Sequence, residues 1–509
     1  MQPKNARREE VLEKLEEAGG RRTGVATQVH RETLVPEADI YGVATFFSLL
    51  EQPEAGIRVC QGLTCQLSDC RNLMSELTTA GKPAVFASCL GRCDQAPASW
   101  DPTEESPIAK ANSSPSSPDL AIDLEAADSA EYEAFREAVS QGPDWVVGQL
   151  ESSGLTGRGG AGFPAHIKWQ AIRGQAETDR YVVLNADEGE PGTFKDREVI
   201  LRRPHLVIEG LAIAAQCLQA RHVYAYVRGE FGRVRRALET ALEEARDAGH
   251  IDDDVTWHFV DGHGAYICGE ETALLEALEG KRGMPRMKPP FPVEKGFRGK
   301  PTLIQNVESV ACLHSILNRG GDWFRELGLT EPGTKLYCLS GHVAKPGVYE
   351  APMGTTMREL LDLAGGVTGH LKAFSPGGAS SGFLPASSID VAMDFSSLRD
   401  AGSMLGSAGV VVLNDTVDMV DAALTQALFF EEEACGQCSP CRIGTQILRQ
   451  ALERYRNGDR QALAYVQDVA WGMGEASICG LGQAAALPLT SALKYFPSEF
   501  GVDPKSGGS

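Results

Sequence analysis

The sequence predicts a multi-domain α/β protein that ends in a helical module. Three observations carry this. Apolar strand-like runs alternate with helical stretches through the middle of the chain, a hairpin followed by a helix interrupts them, and after Thr416 the pattern is helical almost to the end. At 509 residues there is room for about three or four domains.

The elements follow in order. Residues 7–17 have a helical pattern, residues 40–47 form an apolar segment, and Ile57-Arg58-Val59 reads as a strand running into Cys60, which together make a first domain over residues 1–100. Residues 100–128 are dominated by Pro, Ser, Asp and Glu and keep neither the strand nor the helix period, so 101–130 reads as a linker. Strand-like 181–184 and 222–227 flank helix-like 206–218, the mark of an α/β domain over 131–332. Residues 335–341 and 347–350 read as a hairpin and 356–364 as a helix, a small α+β insert at 333–412, leaving 413–509 helical.

Charge narrows the function. With 48 Lys and Arg against 69 Asp and Glu the net charge is −21, which disfavours nucleic acid and anionic membrane and favours protein partners. No apolar run reaches membrane-spanning length, and the charged start carries no secretory pattern. The thirteen cysteines fall in ligand-type spacings rather than a disulfide framework, so a reducing, cytoplasmic location is expected.

Cys435, Cys438 and Cys441 lie in a Cys-x2-Cys-x2-Cys run, and Cys479 follows in Ile478-Cys479-Gly480-Leu481-Gly482. Four thiolates in this 3+1 arrangement suit a [4Fe-4S] cube better than zinc, whose ligands usually pair as two knuckles. Gly436, Gly480 and Gly482 would let backbone N–H groups approach the sulfurs. Upstream, Cys60-x4-Cys65 and Cys89-x3-Cys93 could hold a [2Fe-2S] cluster, with zinc or cysteines without a cluster as alternatives and Cys70 as a bystander.

Gly157-Arg158-Gly159-Gly160-Ala161-Gly162 contains Gly-x-Gly-x-x-Gly, whose backbone can approach a phosphate, and Lys168 adds a cation suited to one; a flexible loop is the plain alternative. Asn185-Ala186-Asp187-Glu188-Gly189-Glu190-Pro191-Gly192 follows a strand directly, where α/β sheets bind ligands, unless it is a solvated turn. Residues 264–272, with Tyr266, Gly269, Glu270 and Glu271, form a second Gly-rich turn opening a helix, in which Cys268 reads as buried packing. Lys288-Pro289-Pro290-Phe291 offers a cation and an aromatic, or is a stiff surface loop.

Together, residues 157–164, 185–192, 264–272, 301–308 and the Cys435/Cys438/Cys441/Cys479 set resemble the family of NADH-binding flavoprotein subunits, over about residues 131–500. That family includes the flavoprotein of respiratory complex I and the diaphorase subunits of NAD-reducing hydrogenases and NAD-dependent formate dehydrogenases. Through residues 41–47 and 89–97, the first hundred residues resemble the family's thioredoxin-like [2Fe-2S] partner protein, here fused. The resemblance implies a thioredoxin-like domain, a Rossmann-like FMN domain, a ubiquitin-like (β-grasp, SLBB-type) insert and a C-terminal helical bundle.

It also implies FMN on Gly157, Gly159, Lys168, Asn185, Asp187, Glu188, Tyr266, Gly269, Glu270 and Asn306, and NADH against Phe163, Glu190, Glu271, Lys288 and Phe291, with Glu190 and Glu271 as the expected catalytic residues. The implied reaction passes a hydride between NAD(H) and FMN and single electrons to iron–sulfur clusters. The fused module and residues 382–387 and 393–395 look most like a formate dehydrogenase diaphorase, so the expected partners are a molybdenum-containing catalytic subunit and a small [2Fe-2S] subunit. A hydrogenase or complex I flavoprotein, or a non-catalytic iron–sulfur or zinc scaffold, are the alternatives.

Overall fold

The computed structural model describes residues 7–51, 56–104 and 108–501, so the first six residues of the charged N-terminal stretch lie outside it. The N-terminal helix Val11–Glu17 buries Val11, Leu12 and Leu15 and packs with helices Val25–Thr33 and Glu37–Ala44. Beside them a three-stranded sheet runs in the order Ala84–Ala87, Ile57–Cys60, Ser99–Trp100. Its small core contains Val59, Cys60, Cys65, Cys70 and Leu90.

The central domain is built on four parallel strands in the order Thr256–Asp261, His222–Val227, Tyr181–Ala186, Thr302–Asn306. The chain moves outward from 181–186 through the next two strands, then returns to lay 302–306 on the other flank. The two connections diverge between these strands, and α/β sheets open a ligand crevice at the carboxyl ends there. Helix Pro204–Leu218 is apolar nearly all round because it is sandwiched, packing against helices Val307–Arg319 and Gly232–Asp247.

The insert is a six-stranded sheet in the order Leu384–Pro385, Leu371–Ser375, Gly409–Asn414, Thr334–Gly341, Gly347–Pro352, Asn112–Ser113. The hairpin and helix Met357–Leu363 are where the sequence places them. Its last strand comes from the stretch read as a linker. Among the described residues that stretch is docked rather than free: Asn112 and Ser113 pair with Gly347 and Val348, and the buried Glu350 carboxylate accepts from Ala121 N at 2.7 Å and Asp123 N at 2.8 Å. Paired backbone, not composition, decides this, since a polar segment can dock once its N–H groups find buried acceptors.

The insert is bolted to the central domain by buried charges. Glu308 accepts from Lys335 and lies 3.0 Å from Lys195, which also meets Asp196 at 2.7 Å. Helices Met419–Glu433, Ser439–Arg456, Val466–Ala476, Gly480–Ala484 and Leu487–Tyr495 close the chain. Among the described residues no helix is long and apolar enough to cross a membrane.

Candidate functional site

At the carboxyl ends of strands 181–186 and 302–306 a cavity of about 460 Å³ opens between the central domain, the insert and the helical module. Gly159, Asn185, Asp187, Glu188, Glu190, Tyr266, Gly269, Glu270 and Asn306, all singled out in the sequence, line it. Asn185 ties two of the loops together, its Nδ2 donating to Gly269 O at 2.8 Å. Asn306 caps helix Val307–Arg319 by accepting from Glu308 N at 3.0 Å.

Several carboxylates already have work to do. Glu188 accepts from Asp196 N at 2.8 Å and Arg197 N at 3.2 Å, capping helix Lys195–Arg202, and burial pushes its carboxyl up to about 7. Glu270 caps helix Glu271–Leu278 through Thr272 N and Ala273 N. Glu190 is fixed by Ser380 N at 2.8 Å and by the Tyr266 hydroxyl. Asp187 is different: its Oδ2 is buried without a hydrogen-bond partner, and burial drives the carboxyl up to about 8 against the pull of Arg228.

The remaining expected residues stand outside this lining. Gly157 N closes the Gly-rich loop on Phe163 O at 2.8 Å. Lys168 meets Glu271 at 3.1 Å, and Lys288 meets Glu270 at 3.0 Å and Glu271 at 3.3 Å, so the lysine expected at a phosphate is paired with a carboxylate. Burial alone would raise Glu271, but the two lysines outweigh it and hold its carboxyl low. Phe163 and Phe291 are about half exposed, at 46% and 50%.

Sequence reasoning missed Thr193, Lys195, Ser380 and Ser407, which also line the cavity. Lys195 sits in Lys195-Asp196-Arg197-Glu198, whose charges suggest a solvated helix, yet all four are buried. An unpartnered buried carboxyl oxygen, a glycine loop on one wall and a buried ammonium fit a flat ring system with polar edges and a phosphate tail, which is FMN's chemistry.

Behind the Tyr266–Gly269 turn, Cys435, Cys438, Cys441 and Cys479 line a second, smaller cavity with Pro285 and Gln437. Cys438 and Cys479 stand at the N-caps of helices Ser439–Arg456 and Gly480–Ala484. Backbone N–H groups of Leu481 and Gly482 donate to the Cys479 sulfur, and that of Gln437 to Cys435. Two of the three expected glycines are needed there: Gly436 has φ +76°, and a Cβ on Gly482 would lie 2.9 Å from Cys441 Cβ, whereas Gly480 faces open space. The four thiols ring this cavity, a donor set that fits a four-iron cube. Ile267 and Leu481 line both cavities, so the two sites adjoin.

The third centre is in the N-terminal domain. Cys60, Cys65, Cys89 and Cys93 are all buried, with Cys60 in contact with Cys65 and Cys89, and Cys89 in contact with Cys93. This compact set of four thiols fits a [2Fe-2S] cluster. Cys70, at the start of helix Cys70–Thr79, packs in the core, and Cys268 is likewise buried packing with its thiol pushed far up by burial. The module is locked to the rest by Gln61, which donates to Glu432 at 2.9 Å, and by Ser88, which donates to Glu433.

Known proteins share these parts. Residues 150–315 match the Nuo51 FMN-binding domain, 421–502 the NADH-ubiquinone oxidoreductase-F iron-sulfur binding region, 336–384 the SLBB domain and 10–101 the thioredoxin-like [2Fe-2S] ferredoxin. The F 2 subunit of NADH-quinone oxidoreductase from Rhizobium meliloti (strain 1021) is 46% identical over 383 residues, covering 72% of this chain and 91% of that protein. The F subunit of NADH-quinone oxidoreductase from Streptomyces coelicolor is 45% identical over 381 residues, covering 72% and 85%. Among solved structures, NAD+-reducing [NiFe]-hydrogenase in the H2-reduced state superposes with a TM-score of 0.89 at 29% identity, covering 98% of this chain and 94% of that one.

Proposed function

We propose that this chain, which belongs to the NADH-oxidising flavoprotein family of the NADH-quinone oxidoreductase F subunits, is the NAD-facing diaphorase component of a larger redox assembly. Its cofactors are FMN, a [4Fe-4S] cluster and a [2Fe-2S] cluster, with NAD(H) as substrate. When bound, FMN takes the hydride's electron pair from NADH and releases electrons singly.

The protein's own groups do the rest. Asn185, Asp187, Lys195 and Asn306 hold the flavin's edges and phosphate in the strand-end cavity. Glu190, fixed by Tyr266 and Ser380, presents acceptor oxygens to the dinucleotide, and Phe163 and Phe291 supply stacking faces. Glu271, kept ionised between Lys168 and Lys288, adds an acceptor where the dinucleotide enters. Cys435, Cys438, Cys441 and Cys479 hold the four-iron cluster; Cys60, Cys65, Cys89 and Cys93 hold the two-iron one.

The single observation that carries this reading is that the two cavities adjoin: Ile267 and Leu481 line both the strand-end cavity and the four-cysteine cavity. The test is optical. Flavin-loaded protein should bleach on adding NADH under anaerobic conditions and reduce an artificial acceptor; flavin that stays oxidised would overturn the assignment.

For the partner, the sequence favours a formate dehydrogenase catalytic subunit in a soluble cytoplasmic assembly, through the fused module and residues 382–387. A second reading has its own observation: the likeness to NAD+-reducing [NiFe]-hydrogenase spans 98% of this chain. Affinity purification from the native cell separates them. Co-elution with a molybdenum protein and formate-dependent NAD reduction supports the first, nickel–iron subunits the second, and quinone-reducing subunits a complex I arm.

A further inference from the structure

One buried guanidinium joins the four N-terminal thiols to the strand-end segment 185–192 that lines the larger cavity, the flavin loop of the proposed function. Arg228, just past strand His222–Val227, donates through one terminal nitrogen to the carbonyl of Cys89 and through the other to the carbonyl of Glu188 at 2.8 Å. Its remaining donors reach Glu230, Nε at 3.0 Å and the Cys89-side nitrogen at 2.9 Å, and its guanidinium lies 5.5 Å from the centre of the Phe231 ring. The approach depends on Gly91, whose φ is +61° and where a Cβ would lie 2.8 Å from the Phe231 ring and 3.4 Å from Arg228. A second arginine of the central domain, Arg197, holds the same loop through Gly91 O at 2.8 Å and Asp94 at 2.9 Å. From the flavin loop itself, the Gly192 N–H donates to the Cys93 sulfur.

These contacts bear on redox energetics as well as on docking. A cluster's reduction potential follows its net charge, its hydrogen bonds and its exposure, and reduction adds one negative charge. A fixed cation on the backbone of a ligand cysteine stabilises that added charge, and away from water the interaction is weakly screened. Arg228 is buried, and Glu230, although it pairs with Arg228, bonds the guanidinium rather than the cysteine loop. The cation therefore stands between the carboxylate and the cluster loop.

We propose that Arg228 is a positioning residue of the N-terminal cluster, which holds the 89–93 loop against the flavin loop and raises the cluster's reduction potential, with Glu230 acting in the opposite sense. This inference rests on the assignment of Cys60, Cys65, Cys89 and Cys93 as ligands.

The test is an anaerobic redox titration of the full-length chain followed by electron paramagnetic resonance, with iron measured in every sample. Arg228→Gln should lower the two-iron potential by the equivalent of at least a tenfold change in its reduction equilibrium, about 59 mV for one electron. Arg228→Lys should recover part of that shift, Glu230→Gln should move the potential upward, and the four-iron signal should stay in place. Unchanged two-iron potentials at full iron content would overturn the proposal. So would iron loss in both the Arg228→Gln and Glu230→Gln chains with no shift in the occupied fraction, because that is a purely structural role. A Cys89→Ser chain run alongside checks the premise separately: a two-iron signal that survives there refutes the ligand assignment and leaves the contacts of Arg228 as described.

Discussion

Asn185 and Asn306 are register partners on adjacent parallel strands, so the carboxyl ends of strands 181–186 and 302–306 bring two side-chain amides to the wall of one crevice. Each is also tied down from behind, Asn185 by Gly269 and Asn306 by the helix it caps. Paired strand ends are stiff, which suits a site that holds a ligand in one orientation.

Asn306→Ala should therefore show two effects at once. Loss of the cap costs about 1 kcal/mol of stability, read as a fall in melting temperature, and loss of the amide reduces flavin content in the purified protein. A variant that melts lower yet retains full flavin would assign Asn306 to capping alone.

Glu190→Gln keeps the shape and removes the charge from an acceptor held by Ser380 and Tyr266. Charge-assisted hydrogen bonds contribute about 1.5–3 kcal/mol, so kcat/KM for NADH should fall roughly ten- to a hundred-fold while flavin content is unchanged. Steady-state kinetics with an artificial acceptor decides it; an unaltered kcat/KM would remove Glu190 from the dinucleotide site.

The Asp187 carboxyl titrates at about 8 in the folded protein because it is buried, against an ordinary value of 3.8. Between those values the folded state holds a proton that the unfolded state has released, so stability falls as pH rises through this window, by up to about 1.4 kcal/mol per pH unit. Asp187→Asn should flatten the dependence and gain stability relative to the parent at pH 8. Melting curves of both chains at pH 5, 6.5 and 8 check this, and parallel profiles would contradict it.

Cys441→Ser should remove about four irons per chain, the content of a cube, and leave the two-iron signal of the N-terminal domain. Loss of both signals would mean that the two centres do not assemble independently.

Much of the site is legible in the sequence because the chemistry is local. The 3+1 cysteines, the Gly-rich loop and the strand-end run 185–192 each carry their meaning within about a dozen residues, where a helix N-terminus or strand end sets direction. Lys195 is not legible: a run of charges encodes no partner, and its burial depends on Glu308, far along the chain. Ser380 and Ser407 belong to the insert and reach the cavity only because that domain folds back over the crevice. The docked stretch at 108–130 is hidden for the same reason, since its acceptor is Glu350.

Domain order, the cysteine sets and the loops that meet at strand ends are written in the chain itself, because spacing and periodicity act over short separations. Folding alone settles which of those loops share a cavity, that Ile267 and Leu481 line both that cavity and the four-cysteine one, and that Arg228 bonds the carbonyls of both Cys89 and Glu188. Those are contacts between distant segments, which form when buried backbone and charge must find partners away from water, wherever along the chain the partners lie.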